Sequence, residues 1–325
     1  MHRLKLASVP VGSDKRLADV DLAYTTHGRL DADGGNCIVL PTYYTGSDES
    51  YLSWIGPGCP FDSDQWYVVV PNMIGNSRST ARDARTRREW DPRTDPVIGI
   101  ADNVAVQRRL LEYLGVQRVA LVAGWSIGGL QAYEWAVAYP DLVDAILPIC
   151  ASARCWPLNA MFLQGIASFL EQALELSPGR RELGLAAFGR AYASWAFSGE
   201  YFRDELWRQD GFGSMADLLA SWAEDHLSWN PADLLTMLRT WQHADPTRPG
   251  ETLQETLGKV AARAIVMPST TDMYFTLAEN AIEVSWQPEA ELRPIESAFG
   301  HMAGGPGYLP EVTAQVRQAV VDLLG

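Results

Sequence analysis

In the stretch Val119-Ala120-Leu121-Val122-Ala123-Gly124-Trp125-Ser126-Ile127-Gly128-Gly129, an apolar run gives way to a serine bracketed by glycines. Val119 to Val122 reads as a buried strand, and Gln131 to Tyr139 as a helix that Pro140 helps to stop. A G-x-S-x-G pattern recurs by chance, so its meaning comes from the strand, turn, helix order around it. Glycines two residues either side of the serine let the two backbones approach more closely than any Cβ would allow. Such a turn projects Ser126 from its apex and aims the Ile127 amide, at a helix N-terminus, toward developing negative charge.

Working outward, short apolar runs alternate with helical patterns, which predicts an α/β chain with a mostly parallel central sheet. Cys37 to Leu40, Trp66 to Val70, Ala145 to Leu147, Ala264 to Met267 and Ala290 to Ile295 read as further strands. Ala101 to Leu114, closing at Gly115, reads as a crossover helix, and Pro310 to Leu324 as a terminal amphipathic one. Residues 155–250 carry helical stretches (Leu158 to Leu176, Arg180 to Ala196, Ala216 to Asp225) without a convincing strand, and read as an inserted cap. The expected division is a core of residues 1–154 and 251–325 with that helical lid between them. Trp156, Trp195, Trp207, Trp222, Trp229 and Trp241 fall in the lid, half of the chain's 12 tryptophans. They read either as an aromatic wall over a pocket or as packing that fixes a thin lid.

A serine hydroxyl needs a base to take its proton, and the strand-turn-helix context predicts the order serine, acid, histidine along the chain. His226, His243 and His301 follow Ser126. The first two fall in the lid and read as surface or internally satisfied histidines, whereas His301 follows the last strand on a glycine-rich loop and is the expected base. The expected acid is Asp272, directly after the strand Ala264 to Met267, with Glu279 and Glu296 as substitutes and a helix N-cap as the alternative role for Asp272. A second oxyanion donor is expected from the loop Pro41 to Ser47, where the Tyr44 amide is the nominee and a Tyr43 or Tyr44 hydroxyl a supplement.

Composition bounds the partners. With 26 basic and 40 acidic residues the net charge is −14, which disfavours nucleic acid or anionic lipid. Charged residues make up 20% of the 325-residue chain and apolar ones 47%, as in a soluble globular protein. Met1 to Ala18 lacks an apolar leader core and no later apolar run is long enough to span a bilayer, so a cytoplasmic location is expected. Cys37, Cys59, Cys150 and Cys155 follow no metal or dense disulfide spacing and read as buried thiols. The basic run 82–88 reads as a solvated loop. No metal and no nucleotide fingerprint is expected, and the oligomeric state stays open, a homodimer included.

The stretch Gly124 to Ala136 resembles the homoserine O-acetyltransferase branch of the α/β-hydrolase superfamily. Asp95 to Gln107, Tyr44-Thr45-Gly46, Thr271 to Phe275 and Gly300-His301 extend that resemblance over most of the core. It implies an α/β-hydrolase fold, a triad of Ser126, Asp272 and His301, and an oxyanion hole of the Tyr44 and Ile127 amides. The chain departs from the branch where substrate is bound. Met302 stands where those enzymes carry an aspartate for the amino group of homoserine, Trp125 stands where they carry a small residue, and their carboxylate-binding cap arginine has no recognisable counterpart. Tyr43, Trp125 and Met302 are therefore the expected substrate contacts. The expected activity is acyl transfer through an acyl-serine, with water as acceptor from an ester or lactone of a fairly apolar small molecule and no cofactor. The alternatives are an O-acetyltransferase using acetyl-CoA as co-substrate on an alcohol other than homoserine, and a non-enzymatic ligand binder.

Overall fold

The computed structural model describes residues 1–12, 15–83 and 89–325; the basic run 82–88 falls mostly outside them. Strands β1 (His2–Val11) and β2 (Lys15–His27) open the chain as an antiparallel pair. No continuous apolar run betrays them, because β1 is an edge strand whose buried Leu4, Val9 and Val11 are spaced among exposed polar residues.

Then come β3 (Cys37–Val39), β4 (Tyr67–Pro71), β5 (Thr80–Asp83), α1 (Ile100–Leu114), β6 (Val119–Trp125), α2 (Ile127–Ala138) and β7 (Ala145–Ile149). Five helices follow without a strand: α3 (Pro157–Glu175), α4 (Arg181–Ala196), α5 (Gly199–Arg203), α6 (Met215–Leu227) and α7 (Pro231–Gln242). The chain ends with α8 (Leu253–Leu257), β8 (Arg263–Val266), α9 (Leu277–Ser285), β9 (Ala290–Leu292) and α10 (Pro310–Leu324).

The spatial order is β1-β2-β4-β3-β6-β7-β8-β9, with β5 paired to β2. Pairing is antiparallel as far as β4 and parallel from β4 to β9. All seven residues of β6 are buried, since helices cover both faces of a parallel sheet. On one face Val39, Val122 and Ile146 meet α1 and α2; on the other Ile38, Leu121 and Leu147 meet Val312, Val316 and Val320 of α10. Gly115 ends α1 in the left-handed conformation at φ 82°. Within 157–242, α4 packs on α3 and α6, and α3 on α7. The serine turn lies at the C-terminal end of β6, where an open parallel sheet gathers its ligand sites.

Candidate active site

Ser126 sits at φ 57°, ψ −127°, between the last residue of β6 and the first of α2. A non-glycine residue there is strained, and its surroundings hold it: the Ser126 amide donates to the Ile149 carbonyl at 2.9 Å. The turn explains its glycines. A Cβ on Gly124 would stand 2.4 Å from the Gly128 carbonyl carbon, and one on Gly128 would stand 2.7 Å from the Pro41 oxygen.

Asp272 lies in the loop after β8 and His301 in the loop after β9, on a short 3-10 turn (Gly300–Gly304). His301 Nδ1 is 2.7 Å from Asp272 Oδ2, and both side chains are buried. Because a carboxylate only accepts, this bond puts the proton on Nδ1 and leaves Nε2 free to take one. The other carboxylate oxygen, Oδ1, accepts the Tyr274 and Phe275 amides at 2.8 and 3.2 Å. The helix N-cap role falls instead to Thr276, which caps α9 and bonds Glu279. Glu279 is thus engaged in its own helix and Glu296 is exposed.

Trp125 is stacked on His301, ring centroids 4.9 Å apart, and its indole N–H donates to the His301 carbonyl at 3.2 Å. The residue before the serine therefore clamps the histidine loop as well as walling the cavity. Tyr43 meets Trp125 edge-on at 4.6 Å. Behind His301, Gly300 has φ 60°, and a Cβ there would stand 2.7 Å from the Phe197 carbonyl carbon and the Ser198 nitrogen of the helical insertion. Ser198 Oγ donates to the Ala298 carbonyl at 2.5 Å, and Tyr274 Oη to the Tyr192 carbonyl at 3.0 Å. The insertion is thus fastened to both loops.

The Ile127 amide opens α2 and has no acceptor within that helix. The loop carrying Tyr44 is tied to the same turn in two ways that the motif alone does not reveal. Tyr51 Oη donates to the Pro41 carbonyl at 3.2 Å and accepts the Trp125 amide at 3.1 Å. Gln131 of α2 donates to the Thr42 carbonyl at 2.8 Å and is itself held by Gln107, which also accepts the Trp135 indole N–H. Gln107, Gln131 and Trp135 belong to the stretches that carry the family resemblance, and a buried relay is what they build; Tyr51 had no sequence signal.

A cavity of about 330 Å³ is lined by Tyr43, Tyr44, Ser126, Trp125, His301 and Met302 from the core, with Tyr192, Trp222 and His226 from the insertion. Of the six tryptophans read either as a wall or as packing, Trp222 alone lines the cavity; Trp207 and Trp241 are packed in the core. His243 is exposed. His226 corrects the expectation of a surface or satisfied histidine: it is 2% exposed, Nδ1 bonds the Trp222 carbonyl at 2.7 Å, and Nε2 meets no partner among the described residues. Burial lowers its pKa against the raising effects of that carbonyl and of Asp225. All four cysteines are free, Cys59 half-buried and the others buried. Burial pushes the Cys150 thiol well above its usual range, which makes it a poor nucleophile despite its place beneath the site.

A family model described as alpha/beta hydrolase fold matches residues 38–210. An ethyl acetate hydrolase of Pseudomonas veronii is 31% identical over 92% of this chain and 88% of its own length. A homoserine O-acetyltransferase of Haemophilus influenzae is 27% identical over 80% of each. The solved structure of an acetylester hydrolase from Corynebacterium glutamicum matches with a TM-score of 0.92 at 30% identity, covering 99% of this chain and 95% of that one. The chain belongs to the α/β hydrolase fold family. Within it, the chain is an acyl-transferring enzyme, a serine esterase or O-acyltransferase.

Proposed function

We propose that the chain hydrolyses short-acyl esters of small, fairly apolar alcohols through an acyl-serine on Ser126. The observation that carries this reading is the His301–Asp272 bond of 2.7 Å in the wall of the cavity that also holds Ser126 on its strained turn. Ser126 Oγ attacks the ester carbonyl as His301 Nε2 takes its proton. The tetrahedral oxyanion is met by the Tyr44 and Ile127 amides. Collapse expels the alcohol, which recovers the proton from His301, and water repeats the sequence on the acyl-serine to release the acid. Asp272 holds the imidazole in the required tautomer and stabilises its charged form.

The acyl and alcohol sizes follow from the cavity, which at about 330 Å³ is at the small end of ligand sites. The named substrates of the related acetylester and ethyl acetate hydrolases agree with that size. No Arg or Lys is among the described residues lining the cavity, so the carboxylate of homoserine has no cationic partner there; Met302 stands beside His301, and the acid on the lining is the exposed Asp225 of α6. The chemistry needs no metal or resident cofactor; acetyl-CoA would enter only as the acyl donor of a transferase. The four free thiols support a reducing, cytoplasmic setting.

The test compares 4-nitrophenyl acetate and ethyl acetate in water with homoserine plus acetyl-CoA, following released acid, free thiol and the mass of the intact protein. Ester cleavage independent of coenzyme A, with an acetyl adduct on Ser126, is expected. Saturable O-acetylhomoserine formation outpacing ester cleavage would refute it.

A further inference from the structure

We infer that Tyr44 Oη and His226 Nε2 together form a recognition site for a hydroxyl group on the alcohol portion of the substrate. The inference rests on the ester-hydrolysis reading and adds a substrate class to it: monoesters of diols. Both atoms are fully buried, both residues line the cavity that holds Ser126, and neither atom has a hydrogen-bond partner among the described residues. They come from different parts of the chain, Tyr44 from the loop after β3 and His226 from α6. Both flank the same pair of rings: Tyr44 lies 6.3 Å from Phe188 and 5.5 Å from Tyr192, and His226 lies 5.3 and 5.9 Å from the same two.

Their hydrogen-bonding roles are complementary and fixed. His226 Nδ1 donates to the Trp222 carbonyl, so Nε2 carries a lone pair and only accepts. The Tyr44 phenol can donate. Burial reinforces both states, holding the imidazole neutral and the phenol protonated. An alcohol, like the water it would displace, accepts one hydrogen bond while donating another. A carbonyl would satisfy Tyr44 alone, and an alkyl end would leave both atoms unpaired. Since the acyl group in the parent reading is short, the hydroxyl belongs to the leaving alcohol.

An apolar cavity without such a site favours a methyl over a hydroxyl, so the direction of preference is itself diagnostic. The experiment measures kcat/KM for 2-hydroxyethyl, 3-hydroxypropyl and 4-hydroxybutyl acetate against propyl, butyl and pentyl acetate, each pair differing by OH for CH3. The ratio within a pair is taken on one preparation, so any inactive fraction cancels. In at least one pair the hydroxy ester is expected to be preferred about tenfold or more, and His226→Phe and Tyr44→Phe should each bring that ratio to one or below. His226→Gln, which restores an acceptor, should recover part of it.

A wild-type ratio at or below one in every pair overturns the inference. So does a ratio that survives both replacements while thermal stability falls, since that would mean the two atoms merely bond each other or water. Failure of the parent reading looks different: Ser126→Ala would then leave cleavage of both esters untouched, or neither ester would be cleaved, and the inference would fall with it.

Discussion

An Asp272→Asn variant keeps the shape of the acid and removes only its charge and one acceptor. Oδ1 of the wild-type residue accepts two backbone amides, from Tyr274 and Phe275, while Oδ2 faces His301. The asparagine can place its oxygen toward the amides or toward the histidine. The second choice sets an NH2 group against two N–H donors and leaves both unpaired in a buried site, at about 1–3 kcal/mol each. The oxygen therefore stays with the backbone and the amide N–H2 turns to His301, forcing Nδ1 to accept and Nε2 to carry the proton. In the proposed mechanism Nε2 takes the serine proton, and an imidazole that already carries a proton on Nε2 cannot do so. The expected loss is on the order of 10⁴ in kcat, equivalent to about 5.5 kcal/mol of barrier, with the fold preserved. Stopped 4-nitrophenyl acetate assays would give kcat, and thermal unfolding of the same samples would verify the fold. A folded variant retaining more than a tenth of wild-type kcat would refute both the tautomer argument and the place of Asp272 in it.

Ser126→Ala should lose about 10⁴ to 10⁶ in kcat with little change in unfolding temperature, whereas His243→Ala, at an exposed position, should leave kcat within twofold; the same ester assay decides both. Tyr51→Phe strips the buried Pro41 carbonyl and Trp125 amide of their shared partner, so denaturant unfolding should show a loss of about 1–3 kcal/mol, and an unchanged midpoint would mean the bridge carries no weight. Glu283 is fully buried and its pKa is raised by burial from 4.5 to about 8, although the Ala153 amide and Trp156 indole N–H donate to it. Between those values the folded chain holds a proton that the unfolded chain has released, so this group's contribution to stability is fully present below about 4.5 and is lost as pH rises toward 8, at most about 1.4 kcal/mol per pH unit. Glu283→Gln should lower stability overall yet flatten this slope, and an unchanged slope in urea unfolding across that range would assign it to another group.

The strands β3, β4, β6, β7 and β8 were legible because they are largely buried and so read as apolar runs, β6 most clearly, whereas β9 at the sheet edge sets exposed Glu291 between half-buried Ala290 and Leu292. The order of Ser126, Asp272 and His301 was legible for a related reason: each follows the C-terminal end of a parallel strand. The hairpin β1–β2 was not, since its edge position disperses the apolar residues among exposed ones. Tyr51 escaped notice because its role depends on a hydroxyl reaching 74 residues along the chain to Trp125, a contact that no local pattern encodes. His226 was misjudged for the opposite reason. Its helix has an ordinary amphipathic pattern, and only the packing of α6 over Tyr192 and Phe188 turns that position inward. The bulk of Trp125 beside the serine is legible in the sequence, but its bond to the His301 carbonyl is a tertiary fact.

The contact between Gly300 and the backbone of Phe197 and Ser198 bears on how this enzyme could be re-engineered or diversified. A lid held to its core by side chains alone can be exchanged as a cassette, because new side chains can be recruited at the seam. Here the seam includes main chain against main chain, 2.7 Å from where a Cβ would be, immediately before His301. A foreign insertion whose backbone came even about an ångström closer at that point would push on the loop that carries the histidine. The insertion is therefore divided by tolerance: the end of α4 is held against the His301 loop, whereas the face of α6 that lines the cavity can be rewritten at its exposed positions, Ser221 and Asp225, with buried His226 kept. Libraries aimed at new substrates belong on that face, and lid transplants should begin after Ser198.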